Sequence, residues 1–169
     1  MLLGERVLLG DVAVDLEEDA DVGSDNNTIV STFDNNKLIN KGYVYSVNGV
    51  AAYFTGNNAK IKNKEGGLIS GELGILITSP TATKATVENQ GKILGGDYGI
   101  LSSGPGDFML DNEGDIYGYA YGVLAIGTNV GSNSGPQIEN SGNIESDFFG
   151  VFVGAATAGW KSKITNDED

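Results

Sequence analysis

Acidic side chains recur at alternate positions in the middle of the chain. Asp111, Glu113 and Asp115 are two residues apart, so in an extended strand their carboxylates would project from one face. The repeat alignment described below places Glu88 and Glu139 beside Asp111 in neighbouring copies. Carboxylate oxygens are the ligands that Ca²⁺ prefers. The pattern predicts a calcium site, the only cofactor that the sequence suggests, and a solvated acidic face is the alternative.

A second set of side chains is apolar or aromatic and flanks a recurring Gly. The column before that Gly consists of Leu73, Tyr98, Tyr121 and Phe149. The column three residues later consists of Leu76, Leu101, Leu124 and Phe152. We name these eight residues the apolar strip and expect both columns to face outward. Contiguous exposed apolar surface is typical of interfaces. Three interpretations stay open: a loop or the core covers the strip, a protein packs on it, or it binds sugar rings.

Composition excludes several kinds of chemistry. The chain contains neither Cys nor His, which excludes disulfides, thiolate sites, imidazole ligands and histidine bases. The formal net charge of −13 opposes nucleic-acid binding, and no run of apolar residues is long enough for a membrane-spanning helix. No nucleotide-binding or hydrolase motif is present. We therefore assign no catalytic residue, although a glycosidase needs only two carboxylates.

A repeat organises most of the chain. The pattern apolar-x-Asn-x-Gly-x-Ile recurs in changed form, and a Gly followed by Ile or Val comes about ten residues after each Asn. Successive repeats are 23 to 28 residues long. The repeated Asn residues are Asn40, Asn63, Asn89, Asn112, Asn140 and Asn166. Stacked amides can hydrogen-bond along a column, so we expect these residues to form a structural ladder.

Within each copy, apolar residues alternate with polar ones, which is the pattern of a half-buried strand. One such copy cannot bury its apolar face alone, but stacked copies can. Three inward apolar columns are predicted, the third of them aligning Val50 with Ile75. The sequence thus predicts an all-β, right-handed parallel β-helix, a β-solenoid of about six coils. Residues 38–169 would form the repeats, with an incomplete last coil, and residues 1–37 an irregular N-terminal coil or cap.

The repeat pattern resembles that of bacterial autotransporter passengers and related surface adhesins, over residues 38 to 166. This resemblance implies a structural or adhesive module at the bacterial cell surface or in a secreted protein. Its partners would be further copies of itself, another surface protein or a glycan. Unpaired strand edges at a solenoid end template further pairing, which suggests end-to-end assembly into filaments. A polysaccharide-binding or polysaccharide-cleaving β-helix protein is the alternative.

Overall fold

The computed structural model describes residues 2–3, 7–9, 13–78, 84–104, 107–127, 135–155 and 161–167. In these ranges the backbone forms strands and turns and contains no helix. The first ten strands are β1 (Leu2–Leu3), β2 (Val7–Leu9), β3 (Ala13–Leu16), β4 (Asp21–Ser24), β5 (Ile29–Ser31), β6 (Lys37–Asn40), β7 (Tyr43–Ser46), β8 (Val50–Phe54), β9 (Ala59–Asn63) and β10 (Leu68–Thr78). The others are β11 (Lys84–Asn89), β12 (Lys92–Gly104), β13 (Asp107–Asn112), β14 (Asp115–Gly118), β15 (Tyr121–Gly127), β16 (Gln137–Asn140), β17 (Asn143–Glu145), β18 (Phe149–Ala155) and β19 (Lys163–Asn166).

These strands stack in three columns, and every pairing is parallel. Face one is the seven-stranded sheet β3-β6-β9-β11-β13-β16-β19. Face two is β1-β4-β7-β10-β12-β14-β17, and face three is β2-β5-β8-β10-β12-β15-β18. The long strands β10 and β12 run through the corner between faces two and three, which joins these faces into one sheet of twelve strands. The predicted all-β parallel solenoid of about six turns is confirmed.

Inward side chains of successive coils fill the core as aligned apolar columns. On face one Leu38, Ile61 and Val87 are in register and fully buried. On face two Ile69 and Ile93 are likewise in register and fully buried. Each coil buries its apolar face against the coils above and below, so no single repeat has a core of its own.

The corner between faces two and three interrupts the alternation of inward and outward residues. Gly99 lies inside the corner, where an added Cβ would be 2.6 Å from the carbonyl oxygen of Gly122 and 2.7 Å from Cγ2 of Ile116. Ile100, the next residue, is also fully buried. Two consecutive residues therefore point inward, and only Gly fits the first position without displacing its neighbours.

One predicted alignment within the core is wrong. Val50 pairs with Leu73, whereas Ala52 is the partner of Ile75. The coil that contains Val50 has two more residues at this corner than the next coil, since Val44 pairs with Ile69. The predicted alignment matched the Gly-Val and Gly-Ile dipeptides of successive coils. It therefore did not account for these two extra residues.

The three-strand arrangement continues into the first 37 residues. β3, β4 and β5 pair in parallel with β6, β7 and β8 respectively. The strand β3 is more exposed than β6, with which it pairs, because exposed and half-buried residues alternate along it. The segment therefore contributes strands to all three faces.

Candidate functional site

The repeated Asn residues end the strands of face one and form a continuous ladder. The side-chain Nδ2 of each of the first five donates a hydrogen bond to Oδ1 of the Asn in the following coil. The Nδ2–Oδ1 distances are 2.8, 2.9, 2.7, 2.6 and 2.6 Å from Asn40 to Asn166. Nδ2 also donates to a turn carbonyl of its own coil, as from Asn89 to Gly91 at 3.2 Å. The amides thus fix the corner between faces one and two.

The ladder has a direction and a defined first member. The residue beside Asn40 in the preceding coil is Leu16, which has no amide. Asn40 Oδ1 is buried and accepts no hydrogen bond within the described chain. At the other end Asn166 accepts from Asn140 and is exposed. The ladder therefore ends on an Asn that is open to solvent.

The apolar strip lies in two registered columns at the corner between faces two and three. Leu73, Tyr98, Tyr121 and Phe149 pair in sequence across β10, β12, β15 and β18. Leu76, Leu101, Leu124 and Phe152 do so in the second column. All eight side chains are partly or largely exposed. Exposure is greatest in β18, where Phe149 is 54% and Phe152 is 45% exposed.

The rings of the strip stack on one another along the solenoid axis. The ring centroids of Tyr98 and Tyr121 are 5.5 Å apart with an angle of 2° between the planes. Tyr121 and Phe149 are 5.2 Å apart with an angle of 19°. Because the faces of these rings meet each other, their edges point away from the stack. The strip therefore presents ring edges and leucine side chains to a partner.

The five predicted calcium ligands occupy two parts of the surface. Glu88, Asp111 and Glu139 are in register on face one, with Glu113 just beyond them. Asp115 begins β14 on face two. The described residues contain no group of three or more side chains arranged to hold a metal ion. The calcium site stays a prediction.

Lysine side chains neutralise most of these carboxylates. Glu88 forms ion pairs with Lys60 at 2.7 Å and with Lys62. Burial opposes the ionisation of Glu88, but hydrogen bonds from these two lysines outweigh it, so the pKa of Glu88 lies below its usual value. Asp115 pairs with Lys92 at 3.2 Å, and Glu139 pairs with Lys163 at 3.6 Å.

Asp111 and Glu113 differ from the other three carboxylates because no lysine pairs with either of them in the described chain. Burial raises the pKa of Asp111, and the charges of Glu113, Glu139 and Glu88 raise it further. The side chains of Asp111, Glu88 and Glu139 line a small cleft of about 180 Å³ on face one, together with Met109. Asp111 therefore lies among like charges without a lysine to offset them.

A groove that sequence reasoning missed lies at the corner between faces one and two. Its origin is the turn after Asn63, which is two residues longer than the turns that follow Asn89 and Asn112. The backbone N–H of Gly67 donates to the carbonyl of Lys64 at 2.9 Å, closing this turn. Gly66 within it has a φ of 81°, which glycine adopts without strain. The sequence signal was the insertion itself, which interrupts the repeat.

The corner groove, as we call it, has a volume of about 400 Å³ on one side of this turn. Its side-chain lining is Tyr43, Glu65, Leu68, Gln90, Lys92 and Asp115. On the other side of the turn a wider hollow of about 610 Å³ shares Tyr43, Glu65 and Gln90 and adds Glu18, Lys41 and Lys64. The two hollows together follow the solenoid axis.

The fold and these surfaces define a repeat protein of the parallel β-solenoid class. No protein-family model, curated protein or solved structure matches the chain. The resemblance to autotransporter passengers is therefore carried by the repeat pattern alone. The part of the chain that the structure describes has no helix suited to crossing a membrane.

Proposed function

We propose that the chain is a structural or adhesive module of a bacterial surface or secreted protein, which associates through the apolar strip. The observation that supports the proposal is the register of eight apolar side chains in two adjacent outward columns. Burying such a surface removes apolar area from water, at about 25 cal/mol per Å². The repeat pattern supports the surface or secreted location.

The geometry of the rings favours a protein partner at the strip. A sugar ring binds an aromatic side chain by lying on its face, but Tyr98 and Phe149 stack on the two faces of the central ring, Tyr121. Ring edges and leucine methyl groups instead suit the interdigitated packing of another protein surface. A second copy of the chain is the partner that we propose first.

The C-terminal coil offers the strongest contact for a second copy. Within the described residues, β18 and β19 each pair with a strand on one side only. Phe149 and Phe152 on β18 and Ile164 on β19 are about half exposed. A further coil with the same pattern, whichever chain supplies it, would pair with these edges and extend both the ring stack and the Asn ladder. Supplied by other copies, such coils would build a filament end to end.

Sedimentation velocity over a concentration series tests this proposal. The test variant is Leu101→Thr/Leu124→Thr, which introduces β-branched side chains that suit strands but removes apolar area from the strip. The matched control is Ile39→Thr/Met109→Thr, which changes outward apolar residues of face one.

We expect the sedimentation coefficient of the native chain and of the control to rise with concentration, while that of the strip variant rises less. A native chain that is monomeric throughout, or a strip variant that associates as the native chain does, would overturn the proposal.

A further inference from the structure

The corner groove carries the features of a ligand site that is separate from the apolar strip. From Tyr43 through Leu68 and Lys92 to Asp115, successive coils contribute one registered residue each. With ~4.8 Å between paired strands, this row is roughly 14 Å long. The groove continues past the turn at Glu65 into the second hollow. An extended chain molecule fits this shape better than a compact one.

Tyr43 provides an aromatic surface that the rings of the strip lack. It is 51% exposed, and in the described chain its ring contacts no other aromatic ring. Its register neighbours are Asp21 and Leu68 rather than aromatic residues. The ring is therefore available for an apolar ligand face to lie on, and Leu68 extends the apolar floor.

Polar groups surround this apolar floor. The Glu65 carboxylate lies on the projecting turn, and the Lys92–Asp115 ion pair closes the far end with 3.2 Å between Nζ and Oδ2. Gln90 is held in place, since its Oε1 accepts from Lys64 at 3.1 Å and its Nε2 donates to Glu113 at 2.8 Å. Carboxylates accept and ammonium groups donate hydrogen bonds, so a ligand rich in hydroxyl groups finds both kinds of partner.

Charge selects against acidic ligands. Three carboxylates (Glu18, Glu65, Asp115) and three ammonium groups (Lys41, Lys64, Lys92) line the two hollows. The lining therefore has no positive excess, and the whole chain has a net charge of −13. A polyuronate or a phosphorylated ligand would be repelled at long range.

We propose that the corner groove binds a neutral oligosaccharide, with one sugar ring on Tyr43 and hydroxyl groups on Glu65, Lys92 and Asp115. Alternating apolar ring faces and hydroxyl edges are what distinguish such a ligand, and the groove offers a surface for each. The volume of about 400 Å³ falls within the ~300–1,000 Å³ of small-molecule sites. The inference does not depend on association through the strip.

Isothermal titration calorimetry on the full chain tests this inference. The probes are the neutral hexasaccharides of cellulose, mannan, starch and chitin, with hexagalacturonate as the acidic comparison. The test variants are Tyr43→Ala, Tyr43→Phe and Glu65→Ala. The matched control is Tyr119→Ala, because Tyr119 is 48% exposed and lies outside the groove.

We expect at least one neutral hexasaccharide to bind with one site per chain and hexagalacturonate to bind more weakly. Tyr43→Ala should weaken binding about tenfold, because an aromatic residue at the centre of a binding site supplies at least this much of the affinity. Tyr43→Phe should weaken binding much less. Tyr119→Ala and the strip variant Leu101→Thr/Leu124→Thr should bind as the native chain does. Binding of none of the neutral probes, or equal binding by folded Tyr43→Ala, would overturn the inference.

Discussion

Removing one amide from the middle of the Asn ladder should destabilise the whole solenoid. Asn89 is 1% exposed. Its Oδ1 accepts from Asn63 at 2.9 Å, and its Nδ2 donates to Asn112 at 2.7 Å and to the Gly91 carbonyl at 3.2 Å. Asn89→Ala removes these three bonds, together with a longer one from Nδ2 to the Asp115 carbonyl at 3.3 Å, and leaves buried partners without replacements. At about 1 kcal/mol for each bond, the free energy of unfolding should fall by about 3 kcal/mol.

Urea unfolding followed by circular dichroism measures this loss. Asn166→Ala is the matched control, because Asn166 is exposed and accepts only the bond from Asn140, so it should cost less than ~1 kcal/mol. Asn89→Asp keeps the side-chain volume but replaces a donor with an acceptor, and at pH 7 it should cost at least as much as Asn89→Ala. Equal losses for Asn89→Ala and Asn166→Ala, within ~0.5 kcal/mol, would refute the ladder as a source of stability.

Three further predictions concern the corner, the acidic column and the net charge. Gly99→Ala should lower the free energy of unfolding by ~1–3 kcal/mol through overpacking, whereas Gly150→Ala, whose added Cβ would meet nothing closer than 3.5 Å, should be nearly neutral; thermal unfolding compares the two. Because the pKa of Asp111 is raised in the folded chain, its charged form destabilises the fold above that pKa. Asp111→Asn should therefore raise stability at pH 7, and urea unfolding should show this gain vanishing near pH ~3, below the pKa of the unfolded chain. Since copies carry a charge of −13 each, raising the salt concentration should strengthen self-association, and weaker association in high salt would contradict a contact that is mainly apolar.

The repeat period could be predicted because each coil places the same types of residue at the same positions of its strands and turns. An inward Asn and alternating apolar residues recur wherever face one turns into face two, so the ladder and its register follow from alignment alone. The position of Val50 could not be predicted in the same way. Its coil has two extra residues at a corner, and an even shift keeps every side chain on its expected face. The alternation of apolar and polar residues therefore does not reveal that Val50 is aligned with the wrong residue.

The corner groove could not be predicted from the sequence pattern, for a different reason. Its lining comes from the first strand position of successive coils on face two and from a turn that departs from the repeat. Tyr43, Leu68, Lys92 and Asp115 share no chemical type, so no motif connects them. Only the stacking of the coils brings them into one row.

Thiol labelling tests most directly whether the apolar strip is a contact surface. The chain contains no cysteine, so Leu124→Cys would give a single thiol in the strip and Glu139→Cys a single thiol on face one. We predict that alkylation of Leu124→Cys slows as the protein concentration rises, while that of Glu139→Cys does not change. Equal alkylation of the strip thiol at every concentration, in a chain that self-associates, would place the contact elsewhere and contradict the proposal.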